Sequence, residues 1–174
     1  MEYLNDELTE MQQVKRVVQQ AIDQYPRLVA FLLTLPGITP EAVPHFHDVV
    51  YQQVSELAVI RQLSGRPVPP TVLRWIWASP PGQTGRVLLL LNQDTFCHPR
   101  YDRPPDRCFE TMETLLRDAG STLNDVRHHQ RPEITVFRVD RTPQAQADAQ
   151  YNLLREYALS LAPVATARSE RISL

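Results

Sequence analysis

Thr84-Gly85-Arg86-Val87-Leu88-Leu89-Leu90-Leu91-Asn92 decides the fold. Its apolar core, Val87 to Leu91, stands between a Pro80-Pro81-Gly82-Gln83 turn and a polar Asn92-Gln93-Asp94 stop. A short, continuous apolar run with Pro/Gly punctuation reads as a strand buried on both faces, and therefore a central strand. A buried helix of the same composition needs roughly ten residues or more, which the boundaries do not leave.

Working outward, Leu28 to Leu35 is a second continuous apolar run, closed by Pro36-Gly37. It reads as another buried strand. Residues 71–79 alternate, with Leu73, Trp75 and Trp77 on one face and Val72, Arg74, Ile76 and Ala78 on the other. Residues 133–139 alternate as well. The turn at 80–83 then joins two strands of a hairpin. Helical spacing predicts helices over 6–24, 47–63, 106–119 and 144–161. Their apolar stripes include Leu8 to Ile22 in the first, Val50, Val54, Leu57, Ala58 and Leu63 in the second, and Tyr151, Leu154, Tyr157, Ala158 and Leu161 in the last. The tail from Pro163 to Leu174 is rich in Ala, Arg and Ser and reads as mobile. Setting aside the first and last helices, the order is β-α-β-β-α-β, the ferredoxin-like split βαβ motif. Right-handed crossovers place the two continuous runs in the middle and the two alternating strands at the edges. The expectation is one α+β domain over residues 1–174, with an extra helix at each end of a sheet core spanning 27–140.

Composition agrees with one domain. The chain has 174 residues, 43% apolar and 22% charged, enough for a single core. It lacks an apolar run near 18 residues and opens on acidic Met1-Glu2-Tyr3-Leu4-Asn5-Asp6-Glu7. The expectation is a cytoplasmic address with no membrane contact. Cys97 and Cys108 are too few for a disulfide framework and read as free thiols. The net charge of −2 hides an asymmetry: residues 1–60 carry 3 basic and 8 acidic side chains, the remainder 15 and 12. The basic part can hold an anion-binding face.

The order Leu73-Arg74-Trp75-Ile76-Trp77, a short turn, and Val87-Leu88-Leu89-Leu90-Leu91-Asn92-Gln93-Asp94-Thr95-Phe96 resembles the replication initiators of filamentous phages and their prophage relatives, the YagK/YfjJ-like domain. The likeness extends more weakly over the first helix with Leu28 to Leu35, and over Tyr151 to Ile172. The resemblance implies an HUH-class single-strand nickase. In that chemistry two histidines on one strand face hold a divalent metal, Mg²⁺ or Mn²⁺, that polarises a phosphate. A helix tyrosine attacks, and a lysine one turn on positions the phosphate. Aligned on the apolar run, the family's His-Tyr-His falls on Thr84-Gly85-Arg86. Threonine is a weak ligand, and arginine is a permanent cation with no acceptor. The family's tyrosine aligns with Tyr157, and its lysine position holds Ser160. The resemblance therefore implies a descendant whose metal pair and lysine are lost. It needs no cofactor and acts by binding DNA or a host or phage protein, in a regulatory or anti-defence role.

Other residues allow competing readings. His45-Phe46-His47 is literally a His-apolar-His triplet and is the candidate metal site of an active nickase using Tyr157. Surface or capping histidines are the alternative, because positions i and i+2 on a helix do not share a face. His98 with Cys97 and Cys108 lacks zinc-ligand spacing, and His128-His129 lies in a loop. Tyr157 is either a relic nucleophile or a packing aromatic. Arg74, Arg86 and Arg138 are expected on one open sheet face, where they would bind phosphates or form ordinary ion pairs. A purely protein-binding module is the remaining alternative, favoured by the net negative charge.

Overall fold

Arg27–Leu35 (β1) and Gly85–Asn92 (β3) lie side by side and antiparallel, Phe31 opposite Leu89. The structure is a computed structural model that describes residues 2–36, 38–39, 41–78, 84–122, 132–141, 144–161 and 166–173. Around the central pair run Glu2–Gln24 (α1), Ala42–Leu63 (α2), Val72–Ala78 (β2), Asp106–Ser121 (α3), Glu133–Asp140 (β4), Gln144–Leu159 (α4) and Thr166–Arg171 (β5). The described strands form one antiparallel sheet in the order β4-β1-β3-β2-β5. Its first four members reproduce the expected split βαβ order.

Both faces of the sheet are covered, which explains why Leu28 to Leu33 of β1 and Val87 to Leu91 of β3 are apolar without a break. Val29, Phe31 and Leu33 of β1 join Leu89 and Leu91 of β3 beneath α2 and α3, against Phe46, Val50, Met112 and Leu116. The alternate residues, Leu28, Ala30, Leu88 and Leu90, face α1 and α4 through Val14, Val18, Ala21, Leu154 and Ala158. Strand periodicity sends neighbours to opposite faces, so a strand covered twice has no polar position to offer.

Three expectations are corrected. β2 is not an edge, because the tail read as mobile supplies β5, with Trp75 opposite Arg168. An uncovered β2 would leave a row of backbone donors and acceptors without partners, and the tail fills it. Ile172 anchors that tail, buried in the α2/α3 layer, with its N–H donating to the Thr71 carbonyl. Second, α2 begins at Ala42 rather than near residue 47. Pro44 is tolerated in its first turn, where N–H groups have no intrahelical acceptor. Third, Leu63 is no stripe residue: it is 83% exposed, and Arg61 is buried in that part of the helix instead. The 80–83 turn, His128, His129 and the Leu8 side chain lie outside the described residues. No helix among the described residues is long and apolar enough to cross a membrane.

Candidate functional site

The start of β3 carries Thr84, Gly85 and Arg86. Thr84 is exposed, and Gly85 is buried against Ile38. A Cβ at Gly85 would run into the Ile38 Cγ2 methyl, so a side chain here requires Ile38 to move. Arg86 is half-buried and sends Nη2 to the Ser160 carbonyl at the end of α4, 3.1 Å away. The Ser160 hydroxyl in turn donates to the Tyr157 carbonyl at 2.6 Å. Tyr157 is 40% exposed, with its ring tilted against Phe137 at 4.9 Å between centroids. The structure thus brings the β3 start and the tyrosine helix together. The residues do not fit a divalent cation, because Arg86 presents a fixed positive charge and only donors.

The three arginines expected on one open face are not on one face, and neither face is open. Arg74 lies on the α1/α4 side, 7% exposed, where its Nη2 donates to Gln24 and its guanidinium sits 5.5 Å from the Tyr25 ring centroid. Its other terminal nitrogen, Nη1, is buried without a partner among the described residues. Arg86 lies on the same side. Arg138 points to the opposite face, its guanidinium carbon 3.5 Å above the centre of the Phe109 ring. Strand parity is the reason: on β4, Phe137 and Val139 belong to the α1/α4 layer, so Arg138 between them faces α3.

The His45/His47 pair also dissolves. His45 is exposed and His47 is fully buried. The His47 ring stacks on Trp75 at 4.2 Å and 26° and meets Trp77 edge-on. Burial, reinforced by the charge of Arg168, pushes its pKa down to about 3. His47 lies on the sheet-facing side of α2, whereas Tyr157 lies on the far side of the sheet. The two histidines and the tyrosine do not converge. His98 accepts at Nδ1 from the Arg100 N–H and packs on Tyr101. Cys97 and Cys108 are free, and burial raises the pKa of the Cys97 thiol.

A site the sequence reading missed follows β3. The segment 97–105 is tied down by Asp102, whose side chain is 1% exposed. Its two oxygens accept from Arg61 at 2.8 and 2.7 Å, from Arg66 at 2.8 Å and from the His98 N–H at 2.7 Å. Burial raises the carboxyl pKa, but the hydrogen bonds from Arg61 and His98 and the charges of Arg61 and Arg66 outweigh it and hold it below the usual value. Beside this knot a cleft of about 280 Å³ opens between α2, the 97–105 segment and α3. Leu57, Ile60, Phe96 and Tyr101 give it apolar walls, and Arg61, Arg66, Arg103 and Arg107 make it cationic. The missed signal was the buried series Val43, His47, Val50, Val54, Ala58, Arg61, spaced at three and four residues. It places both His47 and Arg61 inside.

The cleft residues, from Leu57 to Thr111, and the β3 start all lie within residues 1–128. Tyr157 lies beyond them. No curated protein and no solved structure matches the chain. A family model does match over residues 1–128, about three quarters of the sequence, and the chain belongs to the family described as Uncharacterised conserved protein UCP030791.

Proposed function

We propose that the chain is a catalytically degenerate relative of the phage and mobile-element rolling-circle initiators, working by binding rather than by strand cleavage. The observation that carries the reading is Arg86. The position aligned with a metal-ligating histidine holds a cation, and that cation is tied to the carbonyl of Ser160, one turn beyond Tyr157. A guanidinium there can neither ligate a metal nor take a proton from the tyrosine.

The test is a cleavage assay on labelled single-stranded DNA with Mn²⁺ or Mg²⁺. The expected result is neither cleavage nor a protein–DNA adduct, with Tyr157→Phe indistinguishable from wild type. An adduct that forms in the wild type and is lost in Tyr157→Phe overturns the reading.

If the bound partner is DNA, Arg74 is too buried to meet it, and Arg86 and Arg138 lie on opposite faces of the sheet, so other cations come into play as well. Arg66, Arg100, Arg103 and Arg107 are the exposed ones around the cleft after β3. DNA binding through them predicts affinity that falls steeply with salt, by a log–log slope of roughly 0.7 per phosphate neutralised on a single strand. A protein partner is the second reading, favoured by exposed aliphatic side chains beside the same cleft.

A further inference from the structure

Among the described residues, the large apolar side chains left exposed are Val59, Ile60, Leu63, Tyr101, Leu153 and Tyr157. Four of these six gather at one place. Val59, Ile60 and Leu63, 43%, 63% and 83% exposed, share the last turns of α2, where three- and four-residue spacing puts them on a common ridge. Tyr101, 52% exposed, and Ile60 both line the cleft. An aliphatic ridge at this exposure leaves much of its apolar area in water and is the kind of surface that marks protein association.

The charge of the cleft adds the second constraint. Four guanidinium groups line it against one carboxylate, Asp102, which Arg61 and Arg66 already share. Arg66 is half-exposed with nitrogens to spare, and the Arg107 guanidinium has no acceptor among the described residues. The arrangement is also held ready. The Asp102 knot joins α2 to the 97–105 segment before anything binds, so little ordering is left to offset affinity.

We infer that the cleft between the end of α2, the 97–105 segment and the start of α3 docks an acidic segment of a partner protein, one that carries apolar side chains among its carboxylates. The carboxylates meet Arg66, Arg103 and Arg107, and the apolar side chains lie on Ile60, Leu63 and Tyr101. Tyrosine and arginine around an apolar centre are the residue types that dominate protein interfaces. A phosphate backbone would use the arginines and leave the aliphatic ridge in water, so a protein partner accounts for more of the surface. The inference stands apart from the lineage reading: a positive cleavage assay would leave this cleft untouched.

Selection from a random-peptide display library on the full chain tests it. Arg66→Glu/Arg107→Glu and Ile60→Ser/Leu63→Ser serve as parallel baits. Ile60 and Leu63 are exposed, so Ile60→Ser/Leu63→Ser should keep the wild-type thermal midpoint. Arg66→Glu also removes a bond to Asp102, so Arg66→Glu/Arg107→Glu should show a lowered midpoint with an unchanged circular-dichroism spectrum. The enriched peptides are expected to intersperse Asp or Glu with Leu, Ile or Phe. Their affinity should fall about tenfold or more in each variant, read by fluorescence polarisation. No enrichment, enrichment of basic or purely polar sequences, or equal binding to the variants overturns the inference. So does an oligothymidylate that binds the wild type and weakens in Arg66→Glu/Arg107→Glu while no acidic peptide does, which assigns the cleft to nucleic acid.

Discussion

His47 sits fully buried with neither ring nitrogen hydrogen-bonded among the described residues. Its stacking on Trp75 compensates only in part for two desolvated polar atoms. The nearby cation is Arg168, itself paired with Asp48 and Glu170. Because the folded-state pKa is about 3 against an ordinary 6.5, the unfolded chain binds the extra proton first as pH falls. Stability is therefore intact above about pH 6.5 and lost progressively between there and about pH 3, by at most ~1.4 kcal/mol per pH unit. Urea midpoints measured from pH 7 to pH 4 should fall in the wild type and fall much less in His47→Leu, which is also expected to be no less stable at pH 7. Parallel decline of the two proteins would place the acid sensitivity elsewhere. Asp102 works in the opposite sense to an unpaired group. Replacing it with alanine leaves Arg61 charged and buried without its partner, so Asp102→Ala should cost about 3–5 kcal/mol in chemical denaturation. A loss under 1 kcal/mol would mean that water reaches Arg61. At this scale the sequence was least legible. A histidine or arginine inside a helix stripe looks polar, and only its spacing from Val50, Val54 and Ala58 reveals that it points inward.

The tail is the element that changes the sheet most. Thr166-Ala167-Arg168-Ser169-Glu170-Arg171 has no apolar alternation, because β5 is an edge strand whose side chains are mostly in contact with water. A strand held by backbone pairing to β2 leaves almost no compositional trace, which is why the tail read as mobile. The central strands were legible for the converse reason: cover on both faces demands continuous apolar sequence. Removing residues 162–174 should expose the β2 edge together with Trp77 and Thr71. The truncated chain is expected to aggregate or self-associate in light scattering. Ile172→Ala, which keeps the strand and removes one buried anchor, should cost about 2–4 kcal/mol. If the truncated chain stays monomeric with an unchanged thermal midpoint, β5 is dispensable for covering β2. The start of β3 behaves differently. At Gly85 a Cβ fits only if Ile38 moves.

Across the whole molecule, cover is unequal, and that should set a hierarchy of stability. β1 is bonded on both sides, to β3 and β4, and β3 to β1 and β2, with helices above and below. Among the described residues β4 and β5 each have a strand neighbour on one side only, and just Phe137 and Val139 of their side chains are buried. Backbone amides open locally at a free energy that follows such cover. In hydrogen–deuterium exchange the amides of Ala30 to Leu33 and Leu88 to Leu91 should therefore exchange slowest, by global unfolding alone. Those of β5 should exchange earliest among the strands, with β4 between. The edges also supply a check on assembly. Among the described residues the outward-facing N–H groups of β4 and β5 have no strand partner, and apart from the Asp140 N–H, which donates to Gln150 Oε1, they should exchange quickly at any protein concentration. Protection of those amides that grows with concentration would mean that a second copy pairs along the edge. In that case the cleft and the sheet edge would be separate docking surfaces, distinguishable because Ile60→Ser/Leu63→Ser would leave the edge protection unchanged.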